Sequence, residues 1–356
     1  MYSRQMLEPP SRLIVNGKPV FGTFSGHVSR LDIRGLRSPF GTIPRPAFIS
    51  NFRIKSMLTF GFNIAQYDGC IIFFDGKIFG LAEVVFWDKE TGRKYAYKSI
   101  MGPRRRFIPH NLNQGFCASF GRHRYIRISW DHSRDRISMI FNLTGDSVRP
   151  SVQAALTGHF SDPAMCEVTQ CIPIKSKRRC AASYLSTPKV RGSITIGKTK
   201  QEPAKTIESA KGQALFFINR SYFEYISRSQ FIMGSSLCEG KQVSFHISNV
   251  SEEVQDKEAC NRNVLAVDGQ CTPLPPVKMT QPFGLDGKWI IQDTENMVDL
   301  TFEPISNHYR NMSFIISKIE MHVIYGKFEG VLKTKDGQDI KLSGFIGFAR
   351  DQLLRI

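Results

Sequence analysis

One catalytic motif is present letter for letter, and several looser groups of reactive side chains accompany it. Gly192-Ser-Ile-Thr-Ile-Gly197-Lys198-Thr199 satisfies the phosphate-binding loop pattern, and Ile71-Ile-Phe-Phe-Asp75 has the form of the acidic strand that would hold its magnesium. Such a loop binds phosphates only where it follows a strand and opens a helix, because amides at the helix N-terminus meet the anion. Ser193 to Ile196 is itself β-branched and strand-like, and the residues from Lys200 to Pro203 cannot begin an amphipathic helix. The segment reads as a strand, and no cofactor is expected. Cys166, Cys171 and Cys180 could offer three thiolates to zinc, yet no Cys-x2-Cys pair exists anywhere in the chain. They read as ordinary thiols, so no metal site is expected.

His246 in Val243-Ser-Phe-His-Ile247 and His322 in Glu320-Met-His-Val-Ile324 would do acid/base work if a carboxylate stood beside either. The candidate carboxylates are Glu320 and Glu258, with Glu252 and Asp256 as further choices. A lone strand histidine is more often structural. The run Phe120-Gly-Arg-His-Arg-Tyr-Ile-Arg127 alternates basic and aromatic residues as a nucleic-acid grip would. A strand requires the same alternation, and a solvated sheet face explains it as well.

The elements that must position these residues are strands. Ile126, Ile128 and Trp130 alternate with Arg127 and Ser129. Ile324, Phe328 and Leu332 are expected on one face, and Ile340, Leu342, Ile346 and Phe348 resume it after the Asp336-Gly337 turn. Asp75-Gly76, Asp88 to Gly92, Thr144-Gly145-Asp146, Glu239-Gly240 and Asp268-Gly269 mark further turns between β-rich runs. Helices are scarce, with Glu252–Ala259 and Asp351–Ile356 the best short candidates. Many strands, tight hairpins and no βαβ rhythm predict an all-β fold. The pattern loosens between Asp146 and Pro188, which places a junction there and gives domains 1–185 and 186–356.

Composition bounds the function. The chain has 356 residues, 41% of them hydrophobic, with 27 Phe against 10 Tyr and 3 Trp, enough for a sizeable apolar interior or a ligand cavity. No signal-like segment opens it and no apolar run is long enough to span a membrane as a helix, so a cytoplasmic location with its eight cysteines reduced is the expectation. The net charge of +17 would attract anionic membrane surfaces or nucleic acid. Its clusters lie at Arg104–Arg106, Arg122–Arg127 and Lys175–Arg179.

His322-Val-Ile-Tyr-Gly326-Lys-Phe328-Glu-Gly330, then Asp336-Gly337 and Gly344-Phe-Ile-Gly-Phe348-Ala349, resembles the closing hairpin of a bacterial tandem-lipocalin-like family, a domain of unknown function. That family is similar to AttH-type proteins and remotely to carotenoid hydratases (hydroxyneurosporene synthases). Asn263 to Gly269, Tyr67-Asp68-Gly69 and Asp88 to Gly92 sit where the family has matching turns. The resemblance implies two lipocalin-like (calycin-type) antiparallel β-barrels packed together, with ligand cavities inside them. The family's Asp-Trp-Gly-Arg-Gly stretch is reduced here to Phe217-Ile-Asn-Arg220-Ser221, which keeps only the arginine. The acid of its Thr-Glu-Asn is also lost, since Asn261-Arg262-Asn263 keeps only the last residue. The leading expectation is therefore binding of an apolar or amphipathic lipid or isoprenoid inside the second barrel. Phe217, Phe231 and Tyr325 would form its wall, and Arg220, Asn263 and Asn249 would hold a polar head. A hydratase or isomerase using His246 or His322 with Glu320 or Glu258 is the alternative, and a basic nucleic-acid or anionic-surface binder is another.

Overall fold

The computed structural model describes every residue except 1, 3, 42, 44, 104–106, 200–202, 252–253, 314–317 and 356. Alternation sets the architecture. In the hairpin Arg124–Asp131/Arg136–Leu143, Ile126 faces Phe141, Ile128 faces Met139 and Trp130 faces Ile137, so one apolar face is buried and the other is polar. Repetition of such hairpins gives a nearly all-β molecule of two packed barrels.

The first sheet has 14 strands. Its spine is Lys205–Tyr222, which carries Ile54–Ile64 on one edge and Ser176–Ser186 followed by Lys189–Ile196 on the other. One arm continues through Tyr67–Asp75 and Gly80–Asp88 to Lys94–Met101. The other runs through Val152–Gly158, Arg136–Leu143 and Arg124–Asp131 to Gln114–Phe120. The arms meet where Ser119 donates to Ser99 at 3.0 Å and Arg124 donates to the Lys98 carbonyl. The enclosed core contains Phe60, Phe62, Phe86, Trp130, Phe141 and Phe216.

The second sheet has nine strands, all of them after Tyr222, and a parallel bridge between Asn249 and Val277 closes its curl. The change of sheet thus falls between Tyr222 and Ile226 rather than at 185/186. The expected junction follows prolines in surface loops, whereas Lys189–Ile196 and Lys205–Tyr222 both complete the first sheet.

A third apolar layer joins the two barrels. The first contributes Leu81, Val85, Trp87 and Phe217 from its outer face, and the second contributes Phe231, Tyr325 and Phe348. Alternation explains the division of labour. In Lys205–Tyr222 the even residues Phe216, Ile218 and Tyr222 enter the first barrel, while Leu215 and Phe217 face the junction.

Several local expectations change. The hairpin Lys318–Lys333/Asp339–Arg355 buries Ile324, Phe328, Leu332, Ile340 and Leu342 inside the second barrel. A bulge between Phe328 and Gly330 then flips the parity, so Ile346 and Phe348 face the junction and Phe345 replaces them inside. Asp351–Arg355 is strand, not helix, because it pairs on both edges. Val254–Ala259 forms turns, and Glu252 lies outside the described residues, as do Arg104–Arg106. The helix among the described residues is Ala47–Phe52. Among the described residues no helix is long and apolar enough to cross a membrane.

Gly192–Ile196 lies within Lys189–Ile196, and a register shift between Val190 and Gly192 explains the glycine. Its φ is +148°, and a Cβ there would stand 1.9 Å from the Ala155 carbonyl oxygen.

A candidate ligand cleft between the barrels

The cleft is built where the chain crosses from one sheet to the other. The end of Lys205–Tyr222 supplies Asn219 and Tyr222, the crossover supplies Tyr225, and Pro173 lines the same side. Ser229, Asn249, Arg262 and Gln352 line it from the second barrel. The volume is about 680 Å³, in the range of small-molecule pockets. Exposed Tyr225 and Ile226 give it an apolar lip. Lys175 and Arg179 hold Glu224 at 3.0 and 2.6 Å on the rim.

Arg262 is the charged group of this cleft. The half-buried side chain donates from Nη1 to Asn219 Oδ1 at 3.0 Å, and its guanidinium stands 5.9 Å from the Phe217 ring centre. Among the described residues no carboxylate pairs with it. Burial pulls its pKa down to about 10, so it remains a cation at neutral pH. An anion binding in the cleft would meet a guanidinium whose one hydrogen bond among the described residues is to Asn219, leaving N–H groups for a bidentate contact.

His246 sits at the junction between aromatic rings, its centroid 4.2 Å from that of Phe217 and 5.0 Å from that of Phe231. Burial drives its pKa well below the usual value, helped by the charges of Arg262 and Arg350. It is therefore neutral and cannot serve as an acid. Deeper in the junction, Arg310 pairs with buried Glu83, which also accepts from His308 at 3.0 Å. Arg350 is buried with its guanidinium 4.9 Å from the Phe231 ring centre.

The other sequence candidates separate into three groups. Phe217, Phe231 and Tyr325 do come together, but in the junction layer rather than in a barrel lumen; Tyr325 stacks on Trp87 at 5.0 Å. The second lumen is filled by Phe245, Phe302, Phe328 and Trp289, whose ring centres lie 4.6 to 5.9 Å apart in successive contacts. Arg220 points into the first barrel, since its even position follows Phe216 and Ile218. There it donates to Ser56 Oγ at 3.0 Å, Ile108 O at 2.8 Å and Pro109 O at 2.6 Å, which makes it a loop anchor.

Asn263 accepts from the Ser248 amide at 2.8 Å and donates to Pro275 O at 2.9 Å, so it also serves backbone. Asn249 alone of the three proposed polar groups reaches the cleft. The acid/base pairs do not assemble. Glu320 pairs with Lys318 at 2.6 Å, His322 bonds Asn307 at 3.2 Å, and Glu258 holds Arg4 at 2.9 Å and the Tyr2 hydroxyl. The residue missed was Arg262, whose signal was its place in a strand-entry segment flanked by two asparagines. Cys166, Cys171 and Cys180 are buried and form no disulfide.

Two curled, mainly antiparallel sheets, packed outer face to outer face with a cleft at their crossing, define a tandem β-barrel protein with a ligand-sized space between its halves. The chain belongs to the family described as Domain of unknown function (DUF2804), whose model matches residues 10–355. Among solved structures it is similar to kievitone hydratase from Nectria haematococca at 9% identity, with a TM-score of 0.48 over 84% of this chain and 88% of that one. It is also similar to CghA at 10% identity, with a TM-score of 0.46 over 95% and 98% of the two chains. No curated protein sequence matches it.

Proposed function

We propose that the protein binds an amphipathic small molecule with an anionic head in the cleft between its barrels. The observation that carries this reading is Arg262, a cation facing an open 680 Å³ space with no carboxylate partner among the described residues. The cleft thus presents a guanidinium that no protein carboxylate neutralises among the described residues. A carboxylate or phosphate head would satisfy the guanidinium and accept from Asn249 or Ser229, while the tail would lie against Pro173, Tyr222 and Tyr225.

The test uses a long-chain fatty acid as probe, titrated by displacement of a fluorescent analogue. A hydrogen bond to a charged group is worth about 1.5–3 kcal/mol, so Arg262→Ala is expected to weaken binding roughly 10- to 100-fold, and Arg262→Lys by less. The matching neutral alcohol is expected to bind the wild type and Arg262→Ala alike. Equal fatty-acid affinity in wild type and Arg262→Ala would overturn the assignment.

A further inference from the structure

A second group of ligating side chains lies away from the cleft, at the rim of the first barrel. Glu167 opens the strand Glu167–Ile174, His132 lies in the turn between Arg124–Asp131 and Arg136–Leu143, and His27 follows the strand Gly22–Ser25. One ring nitrogen of each histidine and one carboxylate oxygen lie within 4.8 Å of one another. His132 Nε2 is 2.9 Å from Glu167 Oε1, and His27 Nδ1 is 3.6 Å from Glu167 Oε2.

Each of the three is fixed from behind. The Gly26 amide donates to Glu167 O at 2.9 Å and Thr169 Oγ1 donates to Gly26 O at 2.9 Å, which sets the loop bearing His27. The His132 amide donates to Asn113 O at 2.8 Å. The rings of Phe160, His132 and His27 form one stack with successive centres 3.9 Å apart. The Tyr184 hydroxyl donates to Glu167, an outer contact that orients the carboxylate. The three side chains are 13 to 28% exposed, so an ion can reach them from solvent.

We propose that His27, His132 and Glu167 form a binding site for a divalent transition metal of the zinc class, with the fourth position left to water. Two imidazoles and a carboxylate are a common donor set for such an ion. Bonds of about 2.0–2.1 Å in a tetrahedron place donor atoms about 3.3 Å apart, a spacing that one donor atom from each residue, all within 4.8 Å of one another, reaches with small side-chain movements. Three protein donors with an open position match sites that activate a bound water rather than sites that only staple a fold.

The site is independent of the cleft, and its test is too. Full-length protein stripped with a chelator is titrated with zinc chloride by calorimetry, and bound zinc is counted by elemental analysis. One equivalent is expected. His27→Ala, in a loop, should keep the metal-free melting temperature within a few degrees. Its zinc affinity should fall more than the roughly 10- to 100-fold typical of losing an outer-shell partner. Glu167→Gln, which keeps a partner for Tyr184, should do the same, and Arg262→Ala should bind zinc as wild type does. Cobalt(II) loading should give visible absorption without an intense sulfur charge-transfer band. Absence of zinc binding, undiminished binding in both site variants, or a cobalt–thiolate band would overturn the proposal.

Discussion

A side chain's chemistry depends here on which of three apolar layers it reaches, and neighbouring residues reach different ones. Arg220 and Phe217, close in sequence, point to opposite faces of one strand, so the former is an anchor in the first barrel and the latter a wall of the junction. Replacing Arg220 by Met is expected to unfold the chain at a urea concentration lower by the equivalent of about 3–5 kcal/mol, because two carbonyls and Ser56 lose a buried donor. Fatty-acid affinity of the folded fraction should not change; a specific loss of affinity at full stability would restore Arg220 to the ligand site. His246 makes a pH prediction. Its native pKa is depressed, so below the ordinary value near 6.5 the unfolded chain takes up a proton that the native state does not. Stability therefore falls as the pH drops below about 6.5, where wild type should lose stability relative to His246→Phe by up to about 1.4 kcal/mol per pH unit. A pH-independent difference in urea denaturation would contradict the neutral, ring-stacked histidine.

At the scale of elements, the sequence was legible wherever side-chain parity alone decides. The hairpin around Trp130 and the turns at Asp268-Gly269 and Glu239-Gly240 follow directly from alternation and positive-φ residue pairs. Bulges are what alternation cannot announce, and one of them moves Ile346 and Phe348 from a lumen to the junction. The Gly192 bulge lies within a segment that its β-branched residues already mark as a strand despite the phosphate-loop spelling. Gly192→Asn is expected to lower the melting temperature sharply, since the new Cβ would overlap the Ala155 carbonyl at a φ few L residues adopt. Gly344→Asn should be mild, because φ there is +60° and the nearest atom to a new Cβ is 4.0 Å away. Similar losses in both variants would contradict the close approach described at Gly192.

At the scale of the molecule, the junction and its cleft were hidden because they depend on two sheets meeting. Phe217 on one sheet and Phe231 on the other could be recognised as apolar walls, but not that the wall lies outside both barrels. Arg262 was legible only as a departure from a motif, and His27, His132 and Glu167 carry no spacing signal since three separate segments deliver them. The membership of Lys205–Tyr222 in the first sheet was hidden for the same reason, as its partner Ile54–Ile64 is remote in sequence. The central claim is that the ligand space lies between the barrels rather than within one. Hydrogen exchange with and without a saturating long-chain fatty acid tests it most directly. Added protection is expected at residues 172–175, 221–229 and 248–251, with Val264–Val267 and Trp289–Gln292 inside the second barrel unchanged. Protection confined to those inner strands, with the crossover untouched, would contradict it.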